Sequence, residues 1–363
     1  MSEKKKIAIV TDEDFAVKHV PPFPKPAFLS YETPFRIKVI LEHLQKIGMF
    51  EDPRVAKIYP KEVDENILML AHTKYFINSV KKLSQKGGGL IGDEVFVTGD
   101  TFELAKKAVG GAIKAAEMVI NDEVKQAFAL IRPPGHHATR EQASGLCIFN
   151  NIATTILYLR KVLNYKEKIA IIDIDDHFGD GVCQYFYEDS SVLYASIHEF
   201  DFIDWDVGDI EELGEDDAEG TNINFPIPSG ITDEEFLDFL EIITPVLRQF
   251  NPGLIIIATG FDMYYDDPIG SCNLKSLAYH KFAEGLLELA EEICKGKLVF
   301  ILEGGYNLIG LPICVEAILK ALLDEPYISP EFEHINFTNE ALKHEVEKIK
   351  RELQGVLRRY WDL

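Results

Sequence analysis

The stretch "KIAIIDIDDHFGDG", residues 168–181, decides how this chain is read. It begins as a continuously apolar run, the pattern of a strand buried on both faces. It then packs Asp173, Asp175, Asp176, His177 and Asp180 into eight positions. A bare carboxylate is costly to bury unless it is paired or holds a metal. Asp175 and His177 are two residues apart, so on extended backbone their side chains point the same way. Carboxylate oxygen and imidazole nitrogen together suit zinc or iron(II). Asp173 falls on the same side and can support a ligand or a nearby histidine from behind. The competing reading of this segment is a solvated acidic loop.

Working outward, the same rhythm recurs. "KIAIVTD" (6–12), "QAFALI" (126–131), "SVLYASIH" (191–198), "NPGLIIIATG" (251–260) and "GKLVFILEGG" (296–305) read as strands. Helical spacing marks 32–50, 64–85, 101–121, 149–164 and 273–296, with Thr101 as the expected cap of the third. Residues 86–100 read as loop, and 339–361 as a charged surface helix. Apolar strands alternating with helices predict an α/β fold: a mostly parallel central sheet with helices on both faces. No repeat or linker divides it, so 1–363 is expected to be a single domain. The strands end in polar motifs, and ligands of open parallel sheets bind beyond the carboxyl ends of the strands.

Those motifs carry the remaining candidates. "RPPGHHATR" sets His136 and His137 after a stiff Pro-Gly loop; adjacent imidazoles can take different roles, with carboxylates setting each one's tautomer and pKa. "ATGFDMYYDDPIG" follows an apolar strand and offers Asp262 as a third ligand, while a turn before Pro268 accounts for Asp266 and Asp267. "EGGYN" puts Tyr306 after two glycines, where a phenol can donate to a developing oxyanion. Cys147, in "GLCIF", reads as a core cysteine rather than a nucleophile. No nucleophile elbow or phosphate-binding loop occurs. The residues alone favour metal-dependent hydrolysis.

Bulk properties exclude several classes. The 363 residues are 47% hydrophobic, enough for a large core. The five cysteines are scattered without a CxxC pair, which argues against a disulfide framework. No apolar run is long enough to span a bilayer, and the N-terminus lacks signal-peptide form, so a cytoplasmic location is expected. The formal charge of −23 argues against direct nucleic-acid binding and tolerates cationic substrates.

In order and spacing, "RPPGHHA", "DIDDHFGDG", "GFDMYYDDPIG" and "EGGYN" resemble the histone deacetylase superfamily, over roughly residues 5–320. The likeness is to its prokaryotic branch, alongside acetoin-utilisation proteins and acetylpolyamine amidohydrolases. It implies an arginase/deacetylase-like fold with the active site at the carboxyl ends of the strands. It implies zinc, with iron(II) as the alternative, on Asp175, His177 and Asp262. It implies His136 and His137 as the tandem active-site histidines, partnered by Asp173 and Asp180 respectively, with His137 as general base and Tyr306 polarising the acyl carbonyl. Gly145, Leu146 and Ile269 match the substrate tunnel. A structural potassium site would use Asp173, Asp175, His177, Ser196 and Ile197. The implied reaction is hydrolysis of an N-acetyl amide by metal-activated water. The implied substrate is an acetylated lysine side chain or an acetylated small amine; a catalytically weak binding module is the alternative.

The departures are specific. Phe178 stands where relatives carry a second histidine, and Leu146 replaces a tunnel aromatic. Residues 201–209 differ from the usual loop, leaving Trp205 as one guess for the opposing wall. The rim acid is Asp93 or Glu94.

Overall fold

The computed structural model describes residues 6–23, 28–92, 94–201 and 207–363. In chain order the first half runs β1 (Ile7–Val10), α1 (Phe35–Lys46), β2 (Val55–Ile58), α2 (Glu65–Leu68), α3 (Lys74–Gln85), β3 (Gly88–Leu90), β4 (Phe96–Thr98), α4 (Thr101–Ile120), β5 (Gln126–Ala129) and α5 (Asn151–Lys161). The second half runs β6 (Ile169–Asp173), α6 (Asp180–Phe186), β7 (Val192–Glu199), β8 (Asn222–Ile227), α7 (Asp233–Phe250), β9 (Leu254–Thr259), α8 (Ser276–Cys294), β10 (Leu298–Leu302), α9 (Gly310–Leu322) and α10 (Glu340–Leu357).

Eight strands form one sheet in the order β2-β1-β5-β10-β9-β6-β7-β8, every neighbouring pair parallel. Strands β6, β9 and β10 are buried at every position, which is why they read as unbroken apolar runs. The helices pack in two groups, α3 to α6 in one and α1, α7, α8, α9 and α10 in the other, flanking the sheet as the apolar strand pattern requires. Strands β5, β10, β9 and β6 are consecutive neighbours at its centre. Their carboxyl ends therefore deliver "RPPGHH", "EGGY", "GFD" and "DIDDHFGD" to one place.

Several local expectations are revised. The helix expected over 64–85 is split: α2 ends at Leu68, and Thr73 starts α3 by accepting the Phe76 amide at 3.3 Å. The loop expected over 86–100 holds the antiparallel pair β3–β4. Asp100, not Thr101, is the cap residue of α4; Thr101 is buried, and its hydroxyl accepts the Thr98 amide at 2.7 Å. Strands β2 and β8 and helices α6, α7 and α9 had no prediction. The helix expected at 339–361 spans α10 and does more than cover surface. It buries Leu342, Val346, Ile349, Leu353 and Val356, and packs against β8 and α7. The Trp361 indole just beyond it donates to the Gly220 carbonyl at 2.8 Å. Among the described residues, no helix is long and apolar enough to cross a membrane.

Candidate active site and metal centre

The charge in the opening stretch is consumed carboxylate by carboxylate. Asp173, the last residue of β6, accepts the Asp175 amide on one oxygen at 3.2 Å. Its other oxygen takes the Tyr194 hydroxyl at 3.0 Å and lies 3.3 Å from His136 Nδ1. Asp176 turns away and accepts the Ser271 amide at 2.7 Å and the Cys272 thiol at 3.1 Å, tying this loop to the one after β9. Asp180 lies 2.7 Å from His137 Nδ1. Asp175 accepts the amides of His177 at 3.0 Å and Gly304 at 2.8 Å. A Cβ on Gly304 would sit 2.2 Å from Asp262 Oδ2 and 2.5 Å from Asp175 Oδ2, so only glycine lets the last strand close on the two acids.

Asp175, His177 and Asp262 bring one donor atom each within 4.8 Å of one another. Imidazole Nδ1 of His177 lies 3.1 Å from Asp175 and 3.2 Å from Asp262. One imidazole faces two buried carboxylates. Burial, and then the charge of Asp175, push the Asp262 carboxyl well above its ordinary value. Without a counter-ion the pair is driven to hold a proton; a divalent cation removes that demand. Two carboxylate oxygens and an imidazole nitrogen are a fitting donor set for zinc or iron(II), with further coordination positions left free.

The tandem histidine rings lie 4.0 Å apart between centres, tilted by 48°, yet their environments differ. For His136, burial opposes the charged form, but the Asp175 and Asp173 carboxylates outweigh it and push the pKa up to about 10. A cation on Asp175 would weaken that pull. For His137, burial and the neighbouring His136 charge hold the pKa below 6.5 against the opposing effect of Asp180. Divergent environments of this kind separate acid from base. The Tyr306 phenol, pushed far above 10 chiefly by burial, stays protonated and remains a donor.

These groups floor a cavity of about 470 Å³ lined also by Phe28, Leu146, Phe178, Val207 and Ile269. Gly145, with φ +49°, passes so close to the His137 ring that a Cβ would lie 2.4 Å from it. Gly145 and Glu94 join Leu146 and Ile269 in lining the cavity. Asp93 and Trp205, the other rim and wall candidates, lie outside the described residues. Val207 is the part of the 201–209 loop seen in the wall. Ser196 pairs with Asp173 across the sheet, beside Ile197; its hydroxyl lies 2.8 Å from His198 Nδ1.

Sequence reasoning missed the supports. Arg36, fully buried, donates to the Gly305 carbonyl at 2.7 Å and to the Glu303 carbonyl. Its guanidinium lies 4.6 Å from the centre of the Tyr306 ring. Glu32 pairs with Arg132 at 2.6 Å and with Arg36 at 3.4 Å, all three without solvent exposure. Asp267 makes the expected turn through Ile269 and Gly270, but its second oxygen also accepts the Tyr306 and Asn307 amides at 2.7 and 2.9 Å. Glu303 accepts the Gly135 and His136 amides at 2.6 and 3.1 Å, and burial pushes its pKa up to about 7. Arg132, Asp267 and Glu303 lie within the motifs, whereas nothing local marks Glu32 and Arg36.

The histone deacetylase domain model matches residues 30–322. The chain belongs to the histone deacetylase family. It is 35% identical to the "Probable deacetylase" of Archaeoglobus fulgidus over 339 residues, 90% of this chain and 92% of that one. It is also 35% identical to histone deacetylase 18 of Arabidopsis thaliana, across 99% of this chain but 52% of the plant protein. The chain likewise spans less than half of two yeast HDA1 histone deacetylases, 42% and 44% of their lengths. The crystal structure of the HDA15 HD domain superposes with a TM-score of 0.87 at 27% identity, covering 99% of this chain and 96% of that one. The α/β architecture is that of the family, and the Asp175–His177–Asp262 cluster sits in a deacetylase domain.

Proposed function

We propose that this chain is a zinc-dependent amidohydrolase that removes the acetyl group from an acetylated lysine side chain, releasing acetate and the free amine. The observation that carries the reading is the three-donor centre lying beside His137 and Tyr306 at the floor of an apolar-walled cavity. Asp175, His177 and Asp262 would hold the cation, which when bound supplies Lewis acidity to the acyl carbonyl and makes a neighbouring water acidic near neutral pH. Iron(II) satisfies the same donors.

The rest of the chemistry belongs to the side chains. His137, with Nδ1 engaged by Asp180, has Nε2 free to take the proton of the attacking water. Tyr306 donates its phenol to the carbonyl oxygen as negative charge develops there. As the C–N bond breaks, His136 or His137 returns a proton to the departing nitrogen, so acetate and amine leave in balance. Phe28, Leu146, Phe178, Val207 and Ile269 grip a methylene chain and shed its water. The segment carrying Asp173, Asp175 and His177, with Ser196 and Ile197, is proposed to hold a structural potassium ion. We further propose that residues 1–363 act as one catalytic unit, with α10 packed against β8 and α7, and that the protein works in the cytoplasm.

An acetylated small amine is the second substrate class, suited to the net charge of −23 and to an affinity with the prokaryotic acetylpolyamine branch. The apolar Ile269 in the wall favours lysine. The test is acetate release from acetyl-lysine peptides and from acetylputrescine, before and after chelation and again after adding zinc or iron(II). Chelator-sensitive release from the peptide supports the reading. Preference for acetylputrescine moves the substrate to the second class. Inertness toward both by metal-loaded protein overturns the enzyme and leaves a binding module.

A further inference from the structure

Beside the three-donor centre lies a second group of ligand-bearing side chains. His136, Cys147 and Glu303 each offer one donor atom, all within 4.8 Å of one another, and all three are buried. They come from three rigid places: the loop after β5, the turn closed by the Cys147 amide on the Ser144 carbonyl at 2.8 Å, and the end of β10. None of them belongs to the Asp175–His177–Asp262 set.

Each has an atom to spare. Glu303 Oε2 is committed to the backbone of Gly135 and His136, but Oε1 has no hydrogen-bond partner among the described residues, in a side chain with 0% exposure. A buried carboxylate oxygen left without a donor is costly and calls for a partner. Cys147 is a free thiol, equally buried. His136 engages Asp173 through Nδ1, while its Nε2 lies 3.8 Å from Asp175, too far for a hydrogen bond.

Imidazole nitrogen, thiolate sulfur and carboxylate oxygen form a mixed set that suits borderline and soft divalent cations, unlike the all-oxygen-and-nitrogen set next door. One thiolate and one carboxylate neutralise the two charges of the ion, which lowers the cost of holding it away from water. Binding forms a sulfur–metal and a nitrogen–metal bond, and both the thiol proton and the His136 Nε2 proton leave to solvent without any change of oxidation state. Of the three, His136 lines the cavity, while Cys147 and Glu303 lie behind it, fully buried.

We propose that His136, Cys147 and Glu303 form a second, buried site for a thiophilic divalent cation such as zinc or cadmium, and that filling it inhibits the enzyme by withdrawing His136 from its pair. The inhibitory half rests on the deacetylase reading above; the site itself does not. Excess soft metal would then act as a brake on an enzyme that needs the first ion.

Cobalt(II) titration of metal-free protein, followed by absorption, separates the two centres. The oxygen–nitrogen centre gives only weak visible bands. The second ion must add a near-ultraviolet sulfur-to-cobalt charge-transfer band. Cys147→Ala should abolish that band while the first equivalent binds as in wild type. Glu303→Gln, which can still accept the two backbone amides, should keep the band but weaken second-ion affinity about ten- to hundredfold. Excess cadmium should inhibit wild type and spare Cys147→Ala. Absence of the charge-transfer band at cobalt excess, or its survival in Cys147→Ala, overturns the site. If the band forms but no acetate is ever released, the deacetylase reading falls and the metal site stands.

Discussion

Asp175 at the floor of the cavity and Phe178 in its wall are three residues apart, yet they are held in opposite ways. Asp175 is fixed by directional bonds: amides of His177 and Gly304 on its oxygens, and an imidazole 3.1 Å away. Phe178 is held by ring contacts, 4.8 Å to His198 and 6.1 Å to Tyr194 between centres. A floor built of charged, buried, mutually bonded groups tolerates no change, because removing one partner strands the others. A wall built of apolar contact tolerates substitution and changes grip rather than chemistry.

The sharpest break of that contrast is at the floor. Asp262→Asn replaces one of the two anionic donors with a neutral amide and should lower both metal retention and turnover. The loss should exceed the roughly 10³-fold that marks the upper end for removing one oxyanion donor. Metal content after dialysis and kcat/KM measure it. A variant that keeps its ion and turns over normally would show that the reaction happens elsewhere.

Next comes the layer beneath. Glu32→Gln strands Arg132 and Arg36 without their buried counter-charge, which should cost about 3–5 kcal/mol in denaturant unfolding. Burial works against the Glu32 charge, but Arg132 and His19 outweigh it and hold its pKa far below the ordinary 4.5. Its stabilisation is therefore complete above that value and is lost on acidification, so the wild-type advantage over the glutamine variant should shrink as pH falls.

Tyr306→Phe follows, with an expected fall in kcat of about 10²- to 10³-fold and full metal content. Asp180→Asn is milder. The Asp180 carboxylate raises the His137 pKa, so removing it should move the acid limb of the pH–rate profile to lower pH. Plateau turnover should drop about ten- to hundredfold through a weaker, less oriented base. With its side chain 44% exposed, Asp180 acts through partly screened charge, which keeps the shift modest. An unmoved profile would remove Asp180 from the base.

The same contrast explains what the sequence made legible. Floor residues come as dense motifs at the ends of apolar strands, so Asp173, Asp175, His177, Asp262 and Tyr306 stand out from their neighbours. The parallel sheet was legible for the same reason, through β6, β9 and β10 buried on both faces. Helix α7 went unmarked although a signal existed: Glu235 accepts the Thr232 amide at 2.9 Å, a capping arrangement written in "TDEE"; α9 has no such cap. Arg36 was invisible because its partners lie 267 and 269 positions away, and nothing local distinguishes a buried arginine from a solvated one on an amphipathic helix. In the wall, Gly145, Leu146 and Ile269 were named only through the family likeness, and Phe28 and Val207, which also line the cavity, belong to no motif.

Phe178→His tests whether wall and floor are separable at their closest approach. The substitution sets an imidazole in a cavity where the Phe178 ring offers apolar contact. Losing part of that contact should raise KM for an acetyl-lysine peptide about fivefold, less than the effect of one methylene in a tight pocket, with kcat within about twofold. The next residue, however, belongs to the floor: the Gly179 amide donates to the Tyr194 hydroxyl at 3.2 Å, and that hydroxyl donates to Asp173 at 3.0 Å. If the new imidazole drew Tyr194 away, Asp173 would lose a donor and His136 its orientation. The signature would then be a collapse of kcat with KM unchanged. A change confined to KM keeps Phe178 in the wall; a change confined to kcat would mean that its ring holds the catalytic network in place, and that the apolar shell around this cavity is part of the machinery beneath it.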